Sequence, residues 1–263
     1  MMQQNAISIT CNAQRFTDIH GVFLDKDGTL ADVATYLTQL GQMQAQLLEA
    51  QLSGTQNLTL KALGFTDQGI TASGLLAVGS RRETIVGTAA AIAIIGCPWI
   101  KALELANAAL TTADQRYSPK ASFTPLLPGA LDLLKRLKQA GLKIIMVSAD
   151  SQQNLESFVD HYELQPYFDR LQGVNSQNPS KIDPSFLKAA CQGLDISPDQ
   201  GLVIGDAASD FRMAATTKGF IGFLGGWQPQ LLGTNILAGY EHWQITALPN
   251  HTFVKNLSDI QLV

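Results

Sequence analysis

The chain has 263 residues, 46% hydrophobic and 15% charged, enough apolar matter to bury a real core and too much for a disordered segment. Its 18 Lys and Arg against 22 Asp and Glu give a net charge of -4, with no basic face for nucleic acid or an anionic membrane, so an anionic substrate needs a local device such as a metal ion. Cys11, Cys97 and Cys191 stand far apart in no metal-ligand spacing, and the N-terminus lacks the basic start and apolar run of a signal peptide, which predicts reduced thiols in a cytoplasmic protein.

In chain order, Gly21 to Leu24 (GVFL) is the first apolar run that predicts a strand buried on both faces, and it leads into DKDGT. The interval Val33 to Ser122 is almost wholly helical in character. Within it, Thr84 to Ile100 is the longest uncharged run, just short of a membrane span and interrupted by Gly and Pro, and it predicts a buried helix. The Pro-rich SPKASFTPLLPG then reads as a hinge. Pro128 to Ala140 predicts a helix with Pro at its start and Gly141 at its end. Further strands are predicted at Leu142 to Val147, Gly201 to Ile204 and Gly219 to Leu224, with helices at Asn154 to Tyr162 and Pro184 to Gln192. From Gly225 onward, a stretch with Trp227, Trp243, His242 and His251, a last strand and a short helix at Leu257 to Leu262 are expected, the histidines in surface or structural roles. Strands alternating with helices predict an α/β fold with a doubly wound parallel sheet, residues 1–32 and 123–263, carrying an inserted helical domain, 33–122.

Four stretches carry chemistry. A strand ending in Asp25 and Asp27 places two carboxylates at the carboxyl edge of a parallel sheet, where such folds bind ligands. Gly28 permits the sharp turn and Thr29 can hydrogen-bond in the loop; a plain DG turn is the simpler reading. GLVIGDAASD repeats the arrangement with Asp206 and Asp210, although either Asp206 or Ser209 could merely cap a helix. Carboxylates gathered at one edge repel one another unless a cation sits among them, and Mg2+ answers that need while also binding phosphate. Ser148, in VSAD, could hold a phosphate with its hydroxyl and the backbone N–H groups that follow, Ala149 first, at a helix N-terminus. Lys181, in PSKIDPSF, could neutralise phosphate and nucleophile. Alone, these two read as a capping serine and a surface lysine.

The ordered set DKDGT, VSAD, KIDP and GDAASD resembles the four motifs of the haloacid dehalogenase superfamily of phosphohydrolases, with its Rossmann-like core. The helical insert directly after the first motif resembles the cap of that family's phosphoglycolate phosphatase-like branch, and LLAVGSRRETI its glycine-containing specificity loop. The resemblance implies Asp25 as nucleophile, Asp27 as general acid/base, Ser148 and Lys181 as phosphate holders beside Gly28, Thr29 and Ala149, and Mg2+ held by Asp25, Asp206 and the Asp27 backbone, with Asp210 orienting metal-bound water. A cap that closes over the site is implied too, with Arg81 and Arg82 as candidate contacts to the substrate beyond its phosphate. Dehalogenases of the superfamily carry another residue at the position of Asp27, so halide displacement is disfavoured. The third motif departs from the family's frequent Lys-Pro pair, reading Lys181-Ile182, but keeps the charge.

The implied partner is a small-molecule phosphate ester, with no nucleic acid or membrane; oligomeric state is not indicated. The same chemistry would serve a phosphomutase, or a phosphonate-cleaving enzyme using Lys61 or Lys101 as a Schiff base. A non-catalytic phosphometabolite-binding module is the alternative from another class.

Overall fold

The computed structural model describes residues 7–175, 180–227 and 250–263. Two compact units are present: one holds the described residues of Met1–Asp32, Pro125–Gly226 and Gly239–Val263, the other Val33–Thr124 with Trp227.

The first unit is built on a six-stranded, all-parallel sheet. Its strands are β3 (Gly21–Asp25), β6 (Lys143–Ser151), β7 (Arg170–Val174), β8 (Gly201–Gly205), β9 (Phe220–Phe223) and β10 (His251–Val254). The order is β10-β9-β8-β3-β6-β7. Every residue of β3, β8 and β9 is buried, which is why each reads in sequence as an unbroken apolar run. From β3 the chain winds outward through β6 and β7 on one side and through β8, β9 and β10 on the other. The switch of direction falls between β3 and β8, so the loops leaving their carboxyl ends diverge and open a crevice. The helices α6 (Ala130–Gln139), α7 (Gln152–His161), α8 (Pro184–Cys191) and α9 (Ala208–Met213) flank this sheet. One face is sealed by Phe23, Ile145, Val147, Phe186, Val203 and Phe220 among others.

A second, three-stranded sheet has the order β11-β1-β2, from β1 (Ile7–Cys11), β2 (Gln14–Ile19) and β11 (Gln261–Leu262). It occupies the stretch where a terminal helix was expected. Leu257–Asp259 makes only a single 3-10 turn, whose start is tied by Asn256 to Asp259, before the chain pairs with β1 as strand. Backbone pairing on the edge of β1 outcompetes a six-residue helix, which is too short to hold by itself. His251 packs edge-on to Phe211 and Phe253, a structural role; His242 and Trp243 lie outside the described residues.

The second unit carries α1 (Ala34–Glu49), α2 (Gln56–Leu63), α3 (Leu75–Val78), α4 (Arg81–Ala93) and α5 (Trp99–Arg116), with a two-residue-stranded hairpin of β4 (Phe65–Thr66) and β5 (Gly69–Ile70). Alanines 89, 102, 106 and 109 let α4 and α5 approach closely around Leu48 and Ile92. The expected buried helix over Thr84 to Ile100 is broken. α4 stops at Ala93, Gly96 turns at φ 92°, and Pro98 sits at the start of α5. The residues at the break are exposed, Ile94 at 79% and Ile100 at 67%. Among the described residues no helix is long and apolar enough to cross a membrane. Cys11 and Cys191 are buried free thiols whose pKa is pushed up to about 11 by that burial, which keeps them protonated and inert.

Candidate active site

β3 delivers Asp25 as its last residue, beside the carboxyl end of β8, and the chain then turns back sharply. The N–H groups of Thr29, Leu30 and Ala31 all point at the Lys26 carbonyl, and Gly28 supplies the left-handed φ of 82° that this turn requires. The loop is therefore rigid before any ligand arrives. Gly226 sets its outer wall: a Cβ there would lie 1.6 Å from the Gly28 carbonyl oxygen, so only glycine allows this approach.

Asp206 follows β8 directly and receives a hydrogen bond from the Thr29 hydroxyl at 3.3 Å. Asp210, in the first turn of α9, accepts the Ala207 N–H at 3.0 Å through Oδ2. Oxygens of Asp25, Asp206 and Asp210 lie within 4.8 Å of one another, all three residues buried. Lys181 pairs with Asp25 and stands 2.6 Å from Asp210 Oδ1, with its side chain 5% exposed. Three carboxylates thus face one ammonium in a site shielded from water. All the donors are hard oxygens, and the negative surplus fits a hard divalent cation held by Asp25, Asp206 and Asp210.

The electrostatics follow from burial. Desolvation raises the Asp25 carboxyl from its ordinary value to about 6, Lys181 working against that shift and Asp210 and Asp27 adding to it. Burial works to lower the pKa of Lys181, but attraction to Asp210 and Asp25 prevails and the ammonium is held above its usual range. Lys181 is a fixed cation at any working pH.

Asp27 stands apart from the three-carboxylate group: its side chain is ion-paired to Lys26. Ser148 is buried, and its Oγ accepts the Asp150 N–H at 3.1 Å. No helix begins there. β6 continues to Ser151, which caps α7 by accepting the Asn154 N–H, so the Ser148 and Ala149 backbone groups belong to a strand end three residues short of the helix. The extra residues are accommodated by a register irregularity between β6 and β7 after Val147. Lys181 likewise precedes α8, whose cap is Asp183. In the helical unit, Arg81 is ion-paired to Asp114 and donates to the Thr111 hydroxyl at 2.8 Å, while Arg82 is exposed.

Two features of the site carried no sequence signal that sets them apart. Lys26, between the motif aspartates, reads as a solvated lysine yet is 1% exposed. Gly205 reads as an ordinary strand-end glycine, but a Cβ there would meet the Asp210 Cγ at 2.4 Å. Gly205→Ala is expected to push Asp210 out of the carboxylate group. Stability should fall by about 1–3 kcal/mol, the usual cost of overpacking, together with a loss of affinity for divalent cation, measured by denaturant melts with and without metal. Unchanged cation affinity would show that Asp210 does not need this packing.

Comparisons with known proteins add an independent line. Residues 19–216 match the family model of haloacid dehalogenase-like hydrolases. Phosphoglycolate phosphatase 1 of Pseudomonas aeruginosa is 27% identical over 125 residues, 44% of this chain, and the match spans only 46% of that protein's length. Phosphoglycolate phosphatase of Shigella boydii is 26% identical over 205 residues, covering 76% of this chain and 79% of its own. In structure, a haloacid dehalogenase-like hydrolase from Streptococcus pneumoniae superimposes with a TM-score of 0.55 at 17% identity, over 92% of this chain and 96% of its own.

Proposed function

Because the chain belongs to the haloacid dehalogenase-like hydrolases, we propose that it is a Mg2+-dependent phosphatase acting on a small phosphorylated metabolite through an aspartyl-phosphate intermediate. The observation that carries this reading is the meeting of Asp25, Asp206 and Asp210 around Lys181 at the carboxyl edge of the sheet. Asp25, ionised, attacks phosphorus in line, forming an O–P bond as the ester O–P bond breaks. Asp27 gives its proton to the departing alkoxide oxygen. Water then attacks the phosphorus, Asp27 takes its proton, and inorganic phosphate leaves a restored Asp25. A bound Mg2+ would neutralise charge on the transferring phosphoryl oxygens. Lys181 contributes a second fixed positive charge, and Ser148 with the Ala149 N–H, Gly28 and Thr29 supplies polar contacts to the phosphate.

The two phosphoglycolate phosphatases similar to this chain favour a carboxylate-bearing substrate of that size. A screen of phosphate esters with MgCl2, including phosphoglycolate and sugar phosphates, tests the reading. Turnover abolished by chelation and highest for a small phosphomonoester supports it; binding without turnover of any ester overturns it.

The raised pKa of Asp25 also gives the cation a pH signature. In metal-free protein a carboxyl whose folded pKa lies above its unfolded value stabilises the fold below the unfolded pKa, and that contribution is lost as pH rises through about 6. Cation binding needs the ionised form, so protons compete with it. The rise in melting temperature on adding MgCl2 is therefore expected to be small near about pH 5 and larger near about pH 7.5. An increment independent of pH, or larger in acid, would remove Asp25 from the cation site.

A further inference from the structure

One buried cation has no part in the chemistry above. Lys26 lies between the two motif aspartates, 1% exposed, and its Nζ pairs with the Asp27 carboxylate while standing 3.3 Å from Asp150 Oδ2. The ammonium also sits 5.4 Å from the centroid of the Phe158 ring. Asp150 is itself fixed. Its Oδ1 accepts the Ser151 N–H at 2.8 Å and the Asn154 amide at 2.6 Å, tying it to the first turn of α7. A run of defined groups therefore leads from α7 through Asp150 and Lys26 to Asp27, joining the carboxyl end of β6 to the loop after β3.

Burying an ammonium is unfavourable unless its partners are well placed, and freezing a lysine side chain adds a loss of conformational entropy. A lysine at this position that merely balanced charge could reach water and avoid both costs. The pairing instead orders one side chain, Asp27, which lies two residues from the nucleophile. Proton transfer to a leaving oxygen depends on the donor lying within hydrogen-bond reach, and a displacement of about 1 Å can cost a hundredfold in rate.

We propose that Lys26 is a positioning residue for Asp27, anchored by Asp150: its ammonium donates to Asp27 Oδ1, which fixes the carboxyl and leaves Oδ2 to carry the proton given to the departing oxygen. The role rests on the phosphatase reading and deepens it. It differs from a purely structural ion pair in one measurable respect: it matters in proportion to how much the leaving group needs a proton.

The test compares kcat/KM, which reports the steps up to departure of the leaving group, on 4-nitrophenyl phosphate and phenyl phosphate with MgCl2. The nitrophenolate leaves without help, whereas phenolate needs a proton. Lys26→Met is expected to lower kcat/KM on phenyl phosphate by about 10- to 100-fold more than on 4-nitrophenyl phosphate. Asp150→Asn, which weakens the anchor and keeps its hydrogen-bonding shape, should shift the ratio of the two esters the same way by a smaller factor. It decides the matter if Lys26→Met does not fold. Equal losses on both esters, or none, in the folded variants overturn the positioning role while leaving the phosphatase reading intact. A wild-type protein that cleaves neither of these nor any ester of the wider screen sinks that reading, and the role of Lys26 with it.

Discussion

Asp25→Asn is expected to lower kcat for Mg2+-dependent hydrolysis by more than about a thousandfold, the scale seen when a covalent nucleophile is removed. The amide keeps the size and shape of the carboxyl in a site where Asp25 is only 4% exposed, so no packing is lost. It also relieves a repulsion. Burial and the neighbouring Asp210 and Asp27 already disfavour the Asp25 charge, and the amide can still accept from Lys181. Folding stability in metal-free buffer should therefore be unchanged or higher, while activity disappears. Loss of activity accompanied by unfolding in circular dichroism would deprive the result of its meaning for mechanism, and near-wild-type turnover would exclude Asp25 as nucleophile.

Lys181→Met is expected to have the opposite balance, with stability suffering as much as activity. Methionine matches the length of the lysine stem, so the change removes a charge more than a volume. What remains is Asp25 and Asp210, both buried and each formerly paired to the same ammonium. Breaking a buried ion pair by deleting one partner costs about 3–5 kcal/mol, because the surviving charges are left uncompensated. Urea denaturation of metal-free protein would read that loss. Added MgCl2 should restore part of it, since a cation among the carboxylates supplies positive charge from another source. A variant as stable as wild type without metal would show that Lys181 does not compensate these carboxylates.

The readable parts of the fold were those whose burial is complete. β3, β8 and β9 are buried along their whole length, and each matches a predicted apolar run within one residue at either end. α8 matches within one residue as well, because Pro184 after the Asp183 cap marks its first turn in sequence. The edges were not readable. β7, RLQGV, is half-exposed on the rim of the sheet and offers no run of apolar residues. β1 and β2 form a half-buried hairpin turning at Asn12, φ 50°, and β2 buries only Phe16 and Ile19, three residues apart, which is no strict strand alternation. β11 pairs through its backbone with β1 at the other end of the chain, Ile9 opposite Leu262 and Thr10 opposite Gln261, which no local pattern encodes.

The same contrast holds at the site. The motif aspartates announce themselves by standing at the ends of buried strands. Lys26 and Asp150 do not, because a lysine buried by tertiary contacts looks in sequence like any surface lysine. Nor could spacing have shown that β6 runs past Ser148 to Ser151, since that extension is made by its pairing with β7.

Covalent phosphorylation of Asp25 is the step on which the other proposed roles depend. Rapid quenching of wild-type protein turning over 4-nitrophenyl phosphate with MgCl2, followed by borohydride reduction and peptide mass spectrometry, addresses it directly, because reduction converts an aspartyl phosphate to homoserine. Homoserine is expected at position 25 and at no other aspartate. Turnover with no homoserine at 25, or homoserine at Asp27, Asp206 or Asp210 instead, would contradict it.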